Sequence, residues 1–416
     1  MFMREDNHLA FVDFDNKPHT YAELMSNIKR FSSIYDELNG ENILILMENR
    51  PEWLYAFFSI WNNKGVGVAI DANSNPDEMA YVISDAVPKI IFCSDETKGN
   101  MEKALEKIDF LPDSVKIINV DNIKAEELKE KPGDFRVPSK DDTAAMLYTS
   151  GTTGNPKGVM LSFENLLSNM EGIIAREIIT DRDQTLALLP FHHVLPLMVT
   201  LVVMHSGASI VFVSKIASKE MLEALGKNRV TIMVGVPRVY KLLADGIKAQ
   251  IDSSFLPRQI YKSTKFLKSM KIRKTIFAKV HKKLGNNLKQ LISGGAKLDV
   301  EVGELFERLG FYVTEGYGLT ETSPIIAVAT ITERKLGTVG KLLPRTEVKI
   351  VEDEIWIKGP QVMKGYYNKP DKTKEIITED GWLKTGDLGD LDSEGYLTVK
   401  GRKSSMIVLS NGKNID

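Results

Sequence analysis

A short stretch at residues 148–158, YTSGTTGNPKG, combines hydroxyl side chains, glycines and one lysine. Gly151, Gly154 and Gly158 permit positive φ angles and let backbone amides approach an anion. Lys157 adds a mobile positive charge. The hydroxyl donors of the stretch are Thr149, Ser150, Thr152 and Thr153. Together these groups predict a loop that holds phosphate.

The loop differs from a Walker phosphate loop, in which the lysine directly follows a glycine and precedes Ser or Thr at the start of a helix. Here Pro156 precedes Lys157, and the flanking sequences AAMLY and GVMLS both predict strands. A solvated Gly/Thr turn is the alternative reading. A composition sustained over eleven positions favours the phosphate site.

Two later stretches share this polar, glycine-rich character: EGYGLTETSP at 315–324 and KTGDLGDLDSEGYLTVKGRK at 384–403. In this order, the three stretches resemble the adenylate-forming, or AMP-binding, superfamily of acyl-CoA synthetases, peptide-synthetase adenylation domains and firefly-type luciferases. The resemblance covers nearly the whole chain. Within the superfamily, EGYGLTETSPIIA and MIVLSNGKNI are most similar to long-chain fatty acyl-CoA synthetases.

The resemblance implies a ligase that uses ATP, Mg²⁺ and CoA. A carboxylate would attack the α-phosphorus of ATP to give acyl-AMP and pyrophosphate, and a thiol would then displace AMP. Positioning and charge neutralisation supply most of the catalysis in such a phosphoryl transfer. Two alternatives stay open, a catalytically incomplete module that binds nucleotide or acyl groups, and a synthetase that loads an acyl carrier protein.

The resemblance also implies residue roles. Lys157 and residues 149–154 would hold pyrophosphate, Thr320 would donate to the α-phosphate, and Glu321 with Thr149 would bind Mg²⁺, an ion that prefers oxygen ligands. Asp387 and Arg402 would contact the ribose. The remaining nucleotide-binding positions would be Gly294, Gly295, Ala296, Tyr317 and Gly318. Taken singly, each of these residues would more readily be explained by an ordinary turn, core or solvated face, and the ordered set of motifs is what favours the functional roles.

Apolar segments suggest the acyl pocket. LPFHHVLPL at 189–197 resembles the segment that borders it in the family, and VGVPRVYKLL at 234–243 would add a second wall. The pocket residues would be His193, Val236, Pro237 and Gly316, with His193 also in the catalytic set beside Lys157, Thr320 and Glu321. A packed histidine at a helix start is an equal alternative for His193. The absence of an aspartate in these segments favours a medium- or long-chain fatty acid over an amino acid.

Alternating apolar runs and amphipathic segments predict an α/β fold with parallel strands. ENILILMEN, GVGVAIDA and KIIFCSD would be strands separated by helices, and the pattern recurs at SIVFV, TIMVGVP and KQLISGG. We expect a large N-terminal AMP-binding domain at 1–400, built of stacked, mostly parallel sheets flanked by helices. A small distorted antiparallel β-barrel is expected near 336–400. Residues 401–416 would be a hinge and the start of a truncated C-terminal lid domain.

Composition narrows the class of protein. The chain has 416 residues, a formal net charge of −2 and 43% hydrophobic residues, which is ordinary for a globular protein and gives no general attraction to nucleic acid. The single cysteine, Cys93, lies in an apolar run and is expected to be a buried structural thiol. With no signal-peptide pattern and no bilayer-length apolar stretch, these features predict a cytoplasmic protein.

One segment departs from the near-neutral charge of the whole chain. Residues 253–298 contain no Asp or Glu, and basic residues alternate with apolar ones throughout 258–283. The interleaved apolar residues are Ile260, Phe266, Leu267, Ile272, Ile276 and Phe277. Such a segment could contact an anionic membrane or an acyl carrier protein, or its apolar face could simply pack on the core.

Overall fold

The computed structural model describes residues 2–109, 112, 114–149, 155–213, 218–403, 407–408 and 414–415. The strands are β1 (Leu9–Val12), β2 (Pro18–Thr20), β3 (Asn42–Leu46), β4 (Val66–Ala69), β5 (Ile90–Cys93), β6 (Lys116–Asn119), β7 (Thr143–Thr149), β8 (Lys157–Ser162), β9 (Gln184–Leu186), β10 (Ser209–Val211), β11 (Ile232–Gly235), β12 (Gln290–Ser293), β13 (Tyr312–Gly318), β14 (Ile325–Val328), β15 (Lys341–Leu342), β16 (Glu347–Val351), β17 (Glu354–Lys358), β18 (Gly365–Tyr366), β19 (Leu383–Leu391), β20 (Leu397–Arg402), β21 (Ile407–Val408) and β22 (Asn414–Ile415). The α-helices are α1 (Tyr21–Ser32), α2 (Pro51–Asn62), α3 (Pro76–Ala86), α4 (Asp95–Leu105), α5 (Phe163–Ala175), α6 (Val194–Ser206), α7 (Ser218–Lys227), α8 (Pro237–Asp252), α9 (Phe255–Ser263), α10 (Met270–Ile276), α11 (Ala278–Lys283), α12 (Val300–Leu309) and α13 (Pro370–Ile376).

A seven-stranded sheet has the order β18-β8-β7-β4-β3-β5-β6. Its strands β4, β3, β5 and β6 run parallel, as the alternating sequence pattern predicts, and helices α2 and α3 connect β3 to β4 and β4 to β5. Strands β7 and β8 form an antiparallel hairpin in which Thr149 lies opposite Lys157. The hairpin therefore brings the two ends of the predicted phosphate loop together.

A nine-stranded sheet has the order β15-β14-β13-β12-β11-β9-β10-β1-β2. Strands β13, β12, β11, β9, β10 and β1 run parallel, and antiparallel strands lie at both edges. The carboxyl ends of β11, β12 and β13 meet at one edge of this sheet. Ligands of open parallel sheets bind beyond such an edge.

The largest hydrophobic core lies between the two large sheets. It joins Ile43 of β3 and Ile210 of β10 with side chains of α2 and α6. Helix α2 is apolar on nearly every side, and both of its tryptophans, Trp53 and Trp61, are fully buried. A helix without a polar face is stable only when other elements surround it, so its sequence places it between the layers.

Strands β16, β17, β19 and β20 form a third, antiparallel sheet in that order. The antiparallel strands predicted for this region are confirmed. The described strands form an open sheet, whose ladders join only neighbours, and no closed barrel is seen among them. At its β20 side the sheet instead meets the β15 region, through a bridge between Tyr396 and Lys341, and local alternation of side chains cannot specify such contacts between distant edges.

Strand β20 ends at Arg402, where the sequence predicts a hinge, and β21 and β22 pair beyond it.

Cys93 is buried in β5, and burial raises the pKa of its thiol to about 11, which agrees with the structural role expected for this cysteine. No helix of the described residues has the length and apolarity needed to cross a bilayer.

Candidate active site

A cavity of about 860 Å³ opens where the carboxyl ends of β11, β12 and β13 meet the β7–β8 hairpin and the third sheet. Its polar end is lined by Thr149, Lys157, Thr320, Glu321, Lys384, Arg402 and Lys403. Its apolar side is lined by Leu189, Val194, Leu195, Pro196, Val234, Val236, Ile292, Ile325 and Val328. One cavity therefore offers a charged region and a hydrophobic region to the same ligand.

Thr149 and Lys157 lie at the two facing ends of the hairpin and both line this cavity. The Lys157 ammonium lies 4.5 Å from the centre of the Tyr366 ring, within the range of a cation–π interaction. The other predicted phosphate-loop residues, Ser150, Gly151, Thr152, Thr153 and Gly154, lie outside the described residues.

Thr320 and Glu321 stand on a short turn that directly follows β13. Gly318 is required at the end of this strand, because a Cβ there would lie 1.5 Å from the carbonyl oxygen of Pro324. The Tyr366 hydroxyl donates to Oε1 of Glu321 at 2.7 Å. Burial and the neighbouring Glu321 carboxylate raise the pKa of Tyr366, so its hydroxyl stays protonated as a donor. Tyr366 thus holds the carboxylate at the polar end of the cavity.

Asp387 is buried behind the cavity wall rather than exposed in it. Its Oδ2 accepts a 2.7 Å hydrogen bond from the Tyr317 hydroxyl, and its Oδ1 accepts one of 2.9 Å from Nε of Arg402. Burial and this carboxylate raise the pKa of Tyr317, while the hydrogen bond to Asp387 raises the pKa of Arg402. The three predicted nucleotide residues are therefore brought together, with both carboxylate oxygens engaged by protein donors.

The predicted glycines at the ends of β12 and β13 all line the cavity, whereas the neighbouring Ala296 does not. Gly294 and Gly295 follow β12 and line the cavity, as do Gly316 and Gly318 of β13. Gly295 has a φ of +81°, a backbone conformation that favours glycine. Ala296 is exposed and lies outside the cavity wall.

Of the residues predicted to form the acyl pocket, some line the cavity and one does not. Val236 lines the apolar side, whereas Pro237 begins α8 outside the wall. His193 occupies the position just before α6, where its side chain makes no capping hydrogen bond, and it also lines the cavity. Its Nε2 lies 3.1 Å from Nε2 of His192, which lies 3.7 Å from Asp71.

The sequence profile of the family described as "AMP-binding enzyme" matches residues 3–367. The chain belongs to this family of AMP-binding enzymes. It is 29% identical to the long-chain-fatty-acid–CoA ligase FadD15 of Mycobacterium bovis, over 90% of this chain and 67% of the relative. It is 30% identical to the 2-succinylbenzoate–CoA ligase of Bacillus velezensis, over 97% of this chain and 76% of the relative. The ATP-bound crystal structure of MatB from Rhodopseudomonas palustris superposes with a TM-score of 0.81 at 26% identity, covering 98% of this chain and 78% of that one.

These matches confirm the resemblance inferred from the three motifs, and with it the α/β fold of adenylate-forming enzymes. The chain spans about two thirds of the length of the Mycobacterium relative.

Several residues of this AMP-binding enzyme were missed by the sequence reasoning. Tyr366 bonds to Glu321 across 45 positions of the chain, and Lys384 and Lys403 add positive charge to the cavity wall. Tyr366 reaches the site because β18 pairs with β8, with Tyr366 opposite Val159. The glycine and two tyrosines of MKGYYNKP are the one local signal, and they do not reveal that pairing.

The residues present fit a divalent cation such as Mg²⁺. Glu321 and Thr149 contribute a carboxylate and a hydroxyl to the wall of one cavity, and oxygen ligands suit this ion. Among the described residues, the Tyr366 hydroxyl is the one donor bonded to the Glu321 carboxylate, which leaves Oε2 without a protein donor.

Proposed function

We propose that this protein joins a medium- or long-chain fatty acid to AMP at the expense of ATP and then transfers the acyl group to CoA. The observation that carries the proposal is the continuity of the cavity, whose charged end and apolar side would receive the phosphates and the hydrocarbon chain. Its volume, about 860 Å³, falls in the range of small-molecule binding sites.

In the first step, a carboxylate oxygen of the acid forms a bond to the α-phosphorus, and the bond from that phosphorus to the bridging oxygen breaks as pyrophosphate leaves. Lys157 and Thr149, which line the polar end of the cavity, would neutralise and hold the pyrophosphate. Thr320 would donate to the α-phosphate. Fixed donors of this kind lower the barrier because they are already oriented before charge develops.

The nucleoside would lie against Tyr317, Gly294 and Gly295, with its ribose toward Asp387 and Arg402. Tyr317 and Arg402 each donate to one oxygen of Asp387, so the ribose hydroxyls would either share these oxygens through their second lone pairs or displace a protein donor. Mg²⁺ held by Glu321 and Thr149 would supply positive charge that screens the phosphates.

The acyl side supports an unsubstituted hydrocarbon. Among the described residues of the cavity wall, Glu321 is the one carboxylate, and we place it at the phosphate end. The apolar side therefore offers no carboxylate to pair with the ammonium group of an amino acid. His193, which lines the cavity, would meet the carboxylate of the substrate.

A compact aromatic acid is the second candidate substrate. The 2-succinylbenzoate–CoA ligase match covers nearly the whole chain. In addition, Ser293 lies in the cavity wall, and its buried hydroxyl has no hydrogen-bond partner among the described residues. A substrate with a second polar group could use that hydroxyl.

Calorimetry with non-hydrolysable acyl-adenylates of increasing chain length tests the substrate class. We expect affinity to rise with length by about fourfold for each buried methylene, since burial of one contributes about 0.8 kcal/mol. Val236→Ala should weaken binding of the long-chain adenylates but not of acetyl-adenylate, while Val239→Ala, outside the wall, should leave both unchanged.

Equal affinity for all chain lengths, or tightest binding of an aromatic or aminoacyl adenylate, would contradict the fatty acid assignment. Pyrophosphate exchange with the same acids then separates a ligase from a module that only binds. Supplying CoA or acyl carrier protein as the thiol identifies the acceptor.

A further inference from the structure

The helices after β11 carry an unusual set of exposed apolar side chains. Phe266, Phe255 and Leu256 are 85%, 74% and 67% exposed, and Leu242 of α8 follows them as the fourth most exposed large hydrophobic residue in the described part of the chain. Ile272 and Ile276 of α10 are also exposed. Scattered single exposures are ordinary, but the most exposed ones gathered within one set of helices mark an interaction surface.

The same helices are strongly positive. Residues 255–283 contain ten Lys and Arg and no Asp or Glu, a formal charge of +10 in a protein whose net charge is −2. Six exposed lysines make no ion pair with any acidic residue that the structure describes: Lys262, Lys265, Lys268, Lys271, Lys279 and Lys282. Their charge is therefore available to an outside partner. We call residues 255–276, with Leu242, the basic apolar surface.

The opposite sides of these helices are fixed to the core. Phe277 is buried in a second hydrophobic core, which also contains Tyr240 of α8, and Ile260, Tyr261 and Val280 pack against this core. Nη1 of Arg273 donates to the carbonyl of Glu307 at 2.9 Å. The apolar positions expected from sequence thus divide between two sides, because Ile260 and Phe277 belong to the core while Phe266 faces solvent. The core packing of this segment and its exposed apolar surface coexist.

We propose that the basic apolar surface docks on an anionic lipid membrane. Lysines beside exposed aromatic and aliphatic side chains are the combination that binds such an interface, where the charges meet phosphate headgroups and the apolar tips enter the acyl boundary. Most of the surface of Phe255 and Phe266 is exposed to solvent, so both rings can enter a fluid layer. A folded acidic protein would need matching pockets for them. Charge complementarity selects anionic over neutral lipid.

Sedimentation of the protein with vesicles, in the absence of ATP and fatty acid, tests this surface independently of the proposed reaction. We expect binding to vesicles of phosphatidylcholine with phosphatidylglycerol, little binding to phosphatidylcholine alone, and a decrease as salt rises. The double variant F255S/F266S should weaken binding by about tenfold or more, and so should the quadruple variant K262Q/K265Q/K268Q/K271Q.

Matched controls change the same chemistry elsewhere. K17Q/K103Q/K129Q/K374Q removes four exposed lysines from other elements, and F14S removes another exposed aromatic ring; neither should reduce vesicle binding more than twofold (about 0.4 kcal/mol, since tenfold is about 1.4 kcal/mol). Thermal unfolding of all variants verifies that they fold. The proposal is overturned if binding ignores anionic lipid, if the control variants lose as much as the surface variants, or if the surface binds an acidic acyl carrier protein and no vesicle.

Discussion

At the scale of single residues, protein donors and the ribose would compete for the Asp387 carboxylate. Its carboxylate is the proposed partner of the ribose, yet Tyr317 and Arg402 already donate to its two oxygens. A hydrogen bond to a charged group contributes about 1.5–3 kcal/mol, so a nucleotide must replace what it displaces. A ribose that displaces either donor must make up for this loss, whereas a ribose that uses the remaining lone pairs of the carboxylate need not.

Two conservative substitutions separate the two effects. Asp387→Asn should weaken AMP binding by about tenfold or more and leave pyrophosphate binding unchanged. Tyr317→Phe keeps the ring but removes the competing hydroxyl, so AMP binding should persist or tighten while the free energy of unfolding falls by about 1–3 kcal/mol. Calorimetry and urea unfolding measure both quantities. A Tyr317→Phe variant that loses AMP binding as severely as Asp387→Asn would show that the hydroxyl contacts the nucleotide directly.

At the scale of elements, β18 matters because it delivers Tyr366 to Glu321 and Lys157. Two residues of this strand pair with Met160 and Val159 of β8, which places the tyrosine ring beside the hairpin that carries Lys157. Its hydroxyl orients Glu321 and its ring faces the ammonium. Tyr366 is thus a positioning residue whose two functions reside in different atoms.

Removing these atoms in turn tests the assignment. Tyr366→Phe should lower the rate of pyrophosphate exchange by about tenfold or more, since partners that orient a metal-binding carboxylate are worth about 10–100-fold. It should also raise the Mg²⁺ concentration that gives half-maximal rate. Tyr366→Leu should lose more, because the ring is gone as well. Tyr367→Phe, which alters the neighbouring half-buried tyrosine, is the matched control. An unchanged Mg²⁺ dependence in Tyr366→Phe would assign the residue to packing alone.

Local pattern predicts elements better than it predicts their partners. The strands at 42–46, 66–69 and 90–93 follow from short apolar runs between helices, and their parallel pairing follows from the crossovers. The β8–β18 pairing joins residues about two hundred positions apart, and nothing in either segment specifies the other. The expected barrel is not confirmed by the described strands, and closure likewise depends on edges that lie far apart in the chain.

In the candidate site, too, the sequence predicts which segments take part better than it predicts how their side chains are arranged. The motifs located the cavity, because Thr149, Lys157, Thr320, Glu321 and Arg402 all reach its wall. They could not show that Ala296 turns outward or that Asp387 is covered by its neighbours. Those facts depend on how three sheets meet, and that geometry is not encoded in any single stretch.

At the scale of the whole molecule, imidazoles whose pKa values are lowered in the folded state make stability depend on pH. Burial lowers the pKa of His192 to about 4, with His193 acting in the same direction, and burial also lowers the pKa of His193 and His281. The pKa of Asp183 is also lowered, because the Lys289 ammonium and hydrogen bonds from Thr231 and Thr180 outweigh the opposite effect of burial. Its contribution to stability is lost at a lower pH than that of the histidines, as pH falls through its folded pKa. Between pH 7 and 5, the histidines therefore dominate.

The sign follows from which state binds protons first. Below a pH of about 6.5 the unfolded chain protonates its histidines, whereas folded His192 stays neutral until about pH 4, so acidification favours unfolding. For His192 alone this costs about 2 kcal/mol between pH 7 and 5. His192→Gln should therefore reduce the pH-dependent loss of unfolding free energy by about 2 kcal/mol, as measured by urea titration at the two pH values. His8→Gln, which changes an exposed imidazole, should leave most of the loss in place. If His192→Gln preserved the whole loss, the interior of the molecule would not hold this imidazole neutral, and the pH dependence would have to arise at His193 and His281.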